Sequence, residues 1–405
     1  MTGDSSVTDS NRGPTRRTFL QSAIAVGSLA TAGCVTPLAG PSDPDEFDAE
    51  TVAEGLVHPW GLEFLPEDSR LLVTEREGRL TAVDREDGSS SAVDGVPPVH
   101  DAGQGGLLDV ASHPEFPNEP WIYLTYAATN DDGESTTHLG RGELNLEAAT
   151  LEEFEVLYVA EPFVESNAHY GSRVVFGEDD ALYVTVGDRQ FDDFGPDHVS
   201  QDPTNDLGTT IRLEPDGSIP EDNPFVDDPN ADDAVFSYGH RNAQGMTVHP
   251  ETGEIWQSEH GEEDGDEINV LEAGGNYGWP VAHTGCEYGT DDPIGDDPRE
   301  RADVVDPVYY WECNTGGFPP AGATFYDGEA FPDWQGELFV GNLVGEYLGH
   351  FAVDGRDVEE LDPLLADRGW RIRDVAVAPD TGFLYVAVDD SDAPVVRLVP
   401  PETDG

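Results

Sequence analysis

The chain contains no lysine. Its 19 basic residues are all arginine, and they face 84 acidic residues in a chain of 405, which gives a formal net charge of −65. A surface this negative repels phosphate and has no basic stripe to offset the repulsion, so the composition excludes nucleic acid as a partner. The acidic residues are interspersed among regular apolar segments, which favours a solvated acidic surface over a disordered tract.

Acid–acid repulsion of this size strains a fold in dilute buffer. At molar salt the Debye length falls to about 3 Å, and most of that repulsion is screened. The composition therefore predicts a protein adapted to high salt.

Cysteine is scarce as well, with three residues in the chain. Cys286 and Cys313 lie in loop-like, glycine-rich sequence, HTGCEYG and WECNTGG. The absence of a CxxC pair argues against zinc. In an oxidising compartment we expect a disulfide between them, with two free thiols as the alternative.

The N-terminal apolar run, residues 21–30, is too short to span a bilayer. It follows the twin arginine of TRRTFL, residues 15–20, which is typical of an export signal. The small residues before Cys34 resemble a lipobox. We therefore predict a twin-arginine lipoprotein signal over residues 1–34 and an extracytoplasmic protein anchored to the membrane's outer face through Cys34. A plain cleaved signal is the alternative. The Pro- and Asp-rich residues 35–50 are expected to form a flexible tether.

A pattern recurs through the rest of the chain: an apolar strand, a short Pro/Asp/Gly turn and a second strand. Its six copies are spaced about 45 to 80 residues apart, as expected of propeller blades. We predict an all-β, six-bladed β-propeller over residues 51–400, with a two-sheet sandwich as the competing architecture. The copies begin at Gly61, Leu107, Arg173, Gly245, Ala323 and Val375.

His169 and Arg173 lie four residues apart in SNAHYGSRVVFGEDDALYVTVGD, residues 166–188. The layout places an imidazole where a strand enters a sheet. A histidine at a strand entrance is more often a structural residue, and the alternative for the arginine is a pairing with one of the many acids.

Three more segments carry polar groups suited to a flat, oxygen-rich ligand. Arg241 and Asn242, in GHRNAQG, set a planar donor fork beside an amide. Arg371 and Arg373, in WRIRDV, alternate along a strand and so share a face, which is typical of an anion clamp. Gln104 lies in the glycine-rich GQGGLLDV. Surface arginines and an ordinary loop are the alternatives.

Residues 259–280, EHGEEDGDEINVLEAGGNYGWP, are dense in carboxylates and glycine-exposed carbonyls. Calcium prefers such hard oxygen ligands. The segment lacks EF-hand spacing, so an ion site here would use backbone carbonyls in part. A plain acidic loop is the alternative.

Together these segments resemble the soluble sugar dehydrogenases that depend on pyrroloquinoline quinone (PQQ), the glucose/sorbosone dehydrogenase family, and its aldose dehydrogenase branch in particular. The resemblance runs from about Val52 to Val399. It is carried by GQGGLLDV, HxxxR followed by LYVTVGD, LGxxxRLxPDGxIPxDNPF, SYGHRNAQG, EHGxxxGDEIN, NYGWP and RIRDV. It implies a six-bladed propeller with PQQ over the central tunnel.

The resemblance also implies a reaction. An aldose sugar would be oxidised at C1 to a lactone, and electrons would pass to an external acceptor such as a quinone, a cytochrome or a cupredoxin-like protein. His169 would be the general base while hydride passes to C5 of the quinone, and Arg241 would stabilise the charge that builds there. The cofactor would contact Gln104, Arg241, Asn242, Arg371 and Arg373.

Calcium enters by the same resemblance. The backbone carbonyls of Gly261 and Glu262 would hold the ion that polarises the C5 carbonyl of PQQ. A second, structural calcium is implied at the Glu267 side chain and the Tyr277 carbonyl.

The sequence departs from the glucose dehydrogenase branch at three places. That branch has a cofactor-binding lysine where this chain has GNLVGEYLGHF, with Val344 near the position. Glu262 replaces a proline, which is harmless if only its carbonyl binds. Ala168 replaces an aspartate that precedes the histidine.

Two other functions compete with the dehydrogenase. One is a calcium-dependent lactonase on a related propeller, and the other is a non-catalytic surface lipoprotein that binds a sugar or a partner. The arginines Arg241, Arg371 and Arg373 favour a quinone. The sequence does not select among sugars.

Overall fold

The computed structural model describes residues 47–401. The predicted signal segment, residues 1–34, lies outside the described residues, as does most of the predicted tether at 35–50. Strand β1 (Asp48–Leu56) begins inside that predicted tether, slightly before the expected start of the propeller at residue 51. Among the described residues, no helix has the length and hydropathy needed to cross a membrane.

Six antiparallel sheets of four strands each form the body of the protein. The first three sheets contain β2 (Pro59–Phe64), β3 (Arg70–Glu75), β4 (Arg79–Asp84) and β5 (Ser90–Val93); β6 (Leu107–Ser112), β7 (Trp121–Thr129), β8 (Ser135–Asn145) and β9 (Thr150–Val159); and β10 (Val174–Phe176), β11 (Leu182–Val186), β12 (Thr209–Leu213) and β13 (Val235–Tyr238).

The fourth sheet carries an inserted two-stranded hairpin, β17 and β18, and the sixth takes β1 as its fourth strand. The fourth sheet contains β14 (Ala243–Val248), β15 (Ile255–Glu259), β16 (Glu267–Val270) and β19 (Tyr309–Tyr310), and its inserted hairpin contains β17 (Ala282–Cys286) and β18 (Pro293–Gly295). The fifth sheet contains β20 (Pro320–Phe325), β21 (Leu338–Asn342), β22 (Tyr347–Asp354) and β23 (Asp357–Glu360). The sixth sheet contains β24 (Ile372–Val377), β25 (Leu384–Val388) and β26 (Ala393–Val399) in addition to β1. The helical segments of residues 47–401 are short 3-10 turns at Val199–Gln201, Pro298–Glu300 and Pro332–Trp334.

The first strands of the six sheets, β2, β6, β10, β14, β20 and β24, contact one another in a closed ring. The six repeats found in the sequence begin on these strands or directly before them. The predicted six-bladed β-propeller is therefore confirmed, and the sandwich is excluded.

The ring is closed by the N-terminal strand. Strand β1 pairs antiparallel with β26, with Asp48 opposite Val399 and Leu56 opposite Ala393. The pairing joins the two ends of the described chain and covers a sheet edge that would otherwise be exposed.

The apolar core lies in layers between neighbouring blades. Between the fourth and fifth blades, for example, Trp256 packs edge-to-face against Phe325, and Phe351 is fully buried beside them. Burying aromatic faces between adjacent sheets stabilises the radial arrangement. This arrangement leaves the inner strands free to present polar groups to the axis.

Arg173 ties several blades together at the axis. Its Nη1 donates to Asp109 Oδ1 and Asp374 Oδ1, both at 3.0 Å, and its Nε donates to the carbonyl of Gln244 at 2.9 Å. The guanidinium also lies 4.2 Å from the centre of the Trp60 ring. The predicted pairing of Arg173 with acids is confirmed, and its role is to hold the inner strands together.

The predicted disulfide is also present. Cys286, at the end of β17, is bonded to Cys313, which follows β19, and their Cα atoms are 5.4 Å apart. The bond fastens the inserted hairpin to the fourth blade.

Candidate active site

His169 lies in the loop that enters the third blade. Its backbone has φ of 48°, in the left-handed region that non-glycine residues seldom adopt. The amide of His169 donates to Gln104 Oε1 at 2.7 Å. Gly187 packs against the His169 carbonyl so closely that a Cβ there would lie 2.2 Å from the oxygen. These contacts fix the imidazole at the top of the inner strands, because the loop has little room to move.

The imidazole is oriented by a carboxylate. Nδ1 of His169 lies 2.7 Å from Asp188 Oδ1, and both side chains are buried. Burial alone would raise the pKa of Asp188, but the hydrogen bond and charge of His169, together with the charge of Arg241, hold that pKa below its usual value. Asp188 is therefore an anion at neutral pH.

Asp188 is itself held in place by Trp279, whose indole Nε1 donates to Asp188 Oδ2 at 2.8 Å. His198 Nε2 lies 3.9 Å from the same oxygen. Our reasoning from the sequence missed Asp188. The signal that could have identified Asp188 was its position as the last residue of the strand motif LYVTVGD. A side chain at the end of such a strand lies near the propeller axis.

Arg241 and Asn242 lie next to the histidine loop. Asn242 Oδ1 accepts from the amide of Gly171 at 3.1 Å, and the Arg241 carbonyl accepts from the Asp188 amide at 2.8 Å. The Arg241 guanidinium lies 5.2 Å from the centre of the Trp279 ring. The structure thus brings Arg241 and Asn242 together with His169.

Arg371 directly precedes β24 and Arg373 lies within it, so the predicted alternation of both along one strand is not seen, yet the two side chains reach a common carboxylate. Asp389 Oδ2 is 2.7 Å from Arg373 Nη2 and 3.6 Å from Arg371 Nη2. Arg373 is buried, whereas 44% of the Arg371 side chain is exposed. Arg371 Nη1 donates to the Leu343 carbonyl at 2.7 Å, which places the exposed Val344 beside it.

A second link joins the arginine strand to the histidine side of the site. Arg373 Nη1 donates at 2.8 Å to Gln244, two positions beyond Asn242. Burial, followed by the positive charges of nearby groups, Arg241 first, lowers the pKa of His260 well below its ordinary value. His260 therefore stays neutral amid the site's cationic groups.

Several buried nitrogens at this place have no hydrogen-bond partner within the described chain: Arg241 Nε, Arg373 Nε and His260 Nε2. Unsatisfied buried nitrogens are costly, and native proteins ordinarily pair them. The donors of the two guanidiniums suit a ligand rich in acceptor oxygens.

The acidic loop presents backbone oxygens. In the described part of the chain, the carbonyl oxygens of Gly261 and Glu262 accept no hydrogen bond. The Glu262 side chain points to Arg241 instead, with 2.5 Å between Oε2 and Nη2. Among residues 47–401, no group of three His, Cys, Asp or Glu residues is placed to hold a metal ion, so a calcium site here would need carbonyl ligands.

Two carboxylates share a buried site behind that loop. Asn269 Nδ2 lies 3.2 Å from Glu259 Oε1 and 3.4 Å from Glu267 Oε2, while Asn269 Oδ1 has no partner within the described residues. Burial raises the pKa of Glu267, the nearby carboxylate of Glu259 adds to the rise, and the hydrogen bond and charge of His283 offset only part of it. Tyr277, the other predicted ligand, stacks on His240, which contacts Glu259.

The chain is similar to known proteins over almost its whole described length. The family model for Glucose / Sorbosone dehydrogenase matches residues 56–397. Aldose sugar dehydrogenase YliI of Escherichia coli (strain K12) is 36% identical over 361 residues, which cover 88% of this chain and 94% of the relative.

Solved structures agree with this likeness. The apo-form of the soluble aldose sugar dehydrogenase from Escherichia coli matches with a TM-score of 0.81 and 36% identity, covering 88% of this chain and 100% of that one. The PQQ-bound form of aldose sugar dehydrogenase from Streptomyces coelicolor matches with a TM-score of 0.71 and 27% identity, covering 88% of this chain and 99% of that one.

Proposed function

Since the chain belongs to the glucose/sorbosone dehydrogenase family, we propose that it oxidises aldose sugars at C1 to lactones, with PQQ and calcium as cofactors. The observation that carries the proposal is the buried pair of His169 and Asp188 beside Arg241 and Asn242. It places a base next to a fixed cation, as removal of a proton and transfer of a hydride require.

His169 acts as the base. In the neutral imidazole that donates from Nδ1 to the Asp188 carboxylate, Nε2 is free to take the proton of the anomeric hydroxyl. Asp188 then stabilises the imidazolium that forms, because the two groups are in contact inside the protein. Trp279 keeps Asp188 in that position.

The arginines and the amide hold the cofactor. Arg241 and Asn242 would donate to the quinone oxygens, Arg371 and Arg373 would bind its carboxylates, and Gln104 would contact the cofactor or substrate. The buried guanidinium nitrogens without partners support this fit. When bound, PQQ would supply a two-electron acceptor for the hydride from C1 of the sugar, and calcium would supply a Lewis acid.

The carbonyls of Gly261 and Glu262 would hold that calcium, and Glu267 with the Tyr277 carbonyl would hold a second, structural ion. The buried carboxylates of Glu259 and Glu267 favour a cation at the second place, since two anions inside a protein need compensation. Glu259 is a further candidate ligand.

We also propose where the reaction takes place. The twin-arginine segment and Cys34 support an exported enzyme anchored to the outer face of the membrane by lipid, which passes its electrons to an acceptor outside the cytoplasm.

The test is reconstitution of the purified apoprotein in molar salt. PQQ and calcium together are expected to give dye reduction that depends on an aldose, and neither alone is expected to do so. Lactone hydrolysis with no dye reduction would identify a lactonase, and sugar binding with no turnover would identify a non-catalytic protein.

A further inference from the structure

The side chain of Glu262 has no role in the proposed reaction, which uses only its carbonyl. Its carboxylate nevertheless contacts Arg241, the cation assigned to the quinone, with Oε2 2.5 Å from Nη2. Only 14% of the Glu262 side chain and 6% of the Arg241 side chain are exposed. The pair is therefore shielded from water and only weakly screened by salt.

Arg241 has few other partners. Its Nη1 lies 3.5 Å from the His260 carbonyl, its Nε has no partner within the described residues, and its guanidinium faces Trp279. Among the described residues, Glu262 is thus the carboxylate in direct contact with the Arg241 guanidinium. The proline of the glucose dehydrogenase branch has no carboxylate at this position.

We propose that the Glu262 side chain is an internal counter-ion of Arg241 that competes with the anionic cofactor and so lowers the affinity of the site for PQQ. This inference rests on the proposed function, because it assigns Arg241 to the cofactor. It adds that the carboxylate of this chain's own acidic loop sets how tightly the cofactor binds.

The physical reason is competition for one cation. PQQ is a polycarboxylate quinone, and Arg241 can donate Nη2 to it only by leaving or sharing Glu262. Separating a buried ion pair costs free energy, and that cost is subtracted from the affinity of the incoming anion. A neutral side chain at position 262 removes the cost and also removes a negative charge that repels the ligand.

Glu263 offers a matched control. It carries the same charge one position along, its side chain is exposed, and its carboxylate accepts from the Gly289 amide instead of contacting Arg241. Glu262→Gln and Glu263→Gln therefore change the net charge equally and preserve both backbone carbonyls.

The experiment titrates PQQ into the apoproteins in molar salt with saturating calcium and follows tryptophan fluorescence. Glu262→Gln is expected to lower the dissociation constant for PQQ by about tenfold, a typical effect of one partly buried charge pair. Glu263→Gln is expected to stay within about twofold of the wild type, as for an exposed charge. Equal or weaker binding by Glu262→Gln would overturn the inference, as would an equal gain in the control.

A second measurement separates this role from metal binding. Calorimetric titration of calcium without PQQ is expected to give the same affinity in the wild type and Glu262→Gln, because the carbonyl is retained. A weaker calcium affinity would place the carboxylate in the metal site and overturn the inference. If neither wild type nor variant binds PQQ, the proposed function fails. If all bind PQQ equally, only the role of Glu262 fails.

Thermal unfolding checks that the variant is folded. Should Glu262→Gln unfold, Glu262→Pro introduces the residue of the glucose dehydrogenase branch and also removes the carboxylate. Tighter PQQ binding by that variant would support the inference, and unchanged or weaker binding would overturn it.

Discussion

Nδ1 of His169 lies 2.7 Å from Oδ1 of Asp188, because the chain that enters β10 and the chain that leaves β11 meet at the open end of one hairpin. The residue directly before the histidine is Ala168, whose side chain cannot orient an imidazole. Asp188, at the end of β11, supplies the carboxylate instead. The proposed base therefore has an anionic partner inside the fold.

Asp188→Asn should lower kcat by about 10²- to 10⁴-fold. The neutral amide that replaces the carboxylate does not hold the His169 imidazole in the required tautomer and does not stabilise the imidazolium. The affinity for PQQ should change little, since Asp188 does not face the cofactor's carboxylates. Steady-state kinetics and a PQQ titration check both values. Asp192→Asn, an exposed acid in the same loop, is the control. An unimpaired kcat in Asp188→Asn would show that Asp188 does not assist His169 in the reaction.

Arg373→Met should raise the dissociation constant for PQQ by about ten- to a hundredfold, because a buried guanidinium binds a carboxylate strongly. Arg371→Met, at a more exposed position, should have a smaller effect. Arg368→Met alters a nearby exposed arginine that contacts Asp367 and serves as the control. If PQQ binding is unchanged in both the Arg371 and Arg373 variants, these arginines do not bind the carboxylates of the cofactor.

Glu63 should make stability depend on pH. It lines a cavity of about 390 Å³ on the propeller axis, and burial raises its pKa to about 7 although it accepts hydrogen bonds from Ser112. The folded state therefore holds a proton that the unfolded state releases near pH 4.5, so stability should fall as pH rises from about 4.5 to 7.

Glu63→Gln should reduce the loss in the free energy of unfolding between pH 4.5 and 7 by about 1 to 3 kcal/mol. Asp109 and Asp374 line the same cavity, and burial raises their pKa too, so part of the slope should persist. Chemical denaturation at several pH values in molar salt measures the slope. An identical slope in the variant would show that folding does not change the pKa of Glu63.

Low salt should destabilise the fold. The net charge of −65 is screened at molar salt, and in dilute buffer the repulsion reaches across the surface. The melting temperature in molar KCl should exceed that in sucrose of matched osmolality by at least about 10 °C. A decrease of a few kcal/mol in the free energy of unfolding lowers the melting temperature by several degrees or more. Equal melting temperatures would contradict adaptation to salt.

The propeller could be predicted from sequence because each blade repeats one local pattern. A strand, a tight turn and a second strand recur at Gly61, Leu107 and four later places, and every copy lies at an inner strand. The closing strand β1 was harder to predict. Its pairing with β26 joins residues from opposite ends of the chain, and no local pattern signals such a contact.

The site was only partly predictable for the same reason. Motifs identified His169, Arg241 and Arg373, but their carboxylate partners lie 19, 21 and 16 residues further along the chain, beyond the second strand of the same blade. Asp188 and Asp389 are ordinary acids in a chain with 84 of them, so composition could not single them out. The contact of Glu262 with Arg241 likewise depends on how the acidic loop folds.

The central claim is that His169 removes a proton as hydride leaves C1 of an aldose for PQQ. It is tested most directly by single-turnover absorbance of the PQQ- and calcium-loaded protein after addition of an aldose. The account predicts rapid reduction in the wild type, slowed by deuterium at C1. In His169→Ala, with PQQ still bound at full occupancy, it predicts reduction slower by about 10²-fold or more. Reduction of bound PQQ at the wild-type rate in His169→Ala would contradict the claim.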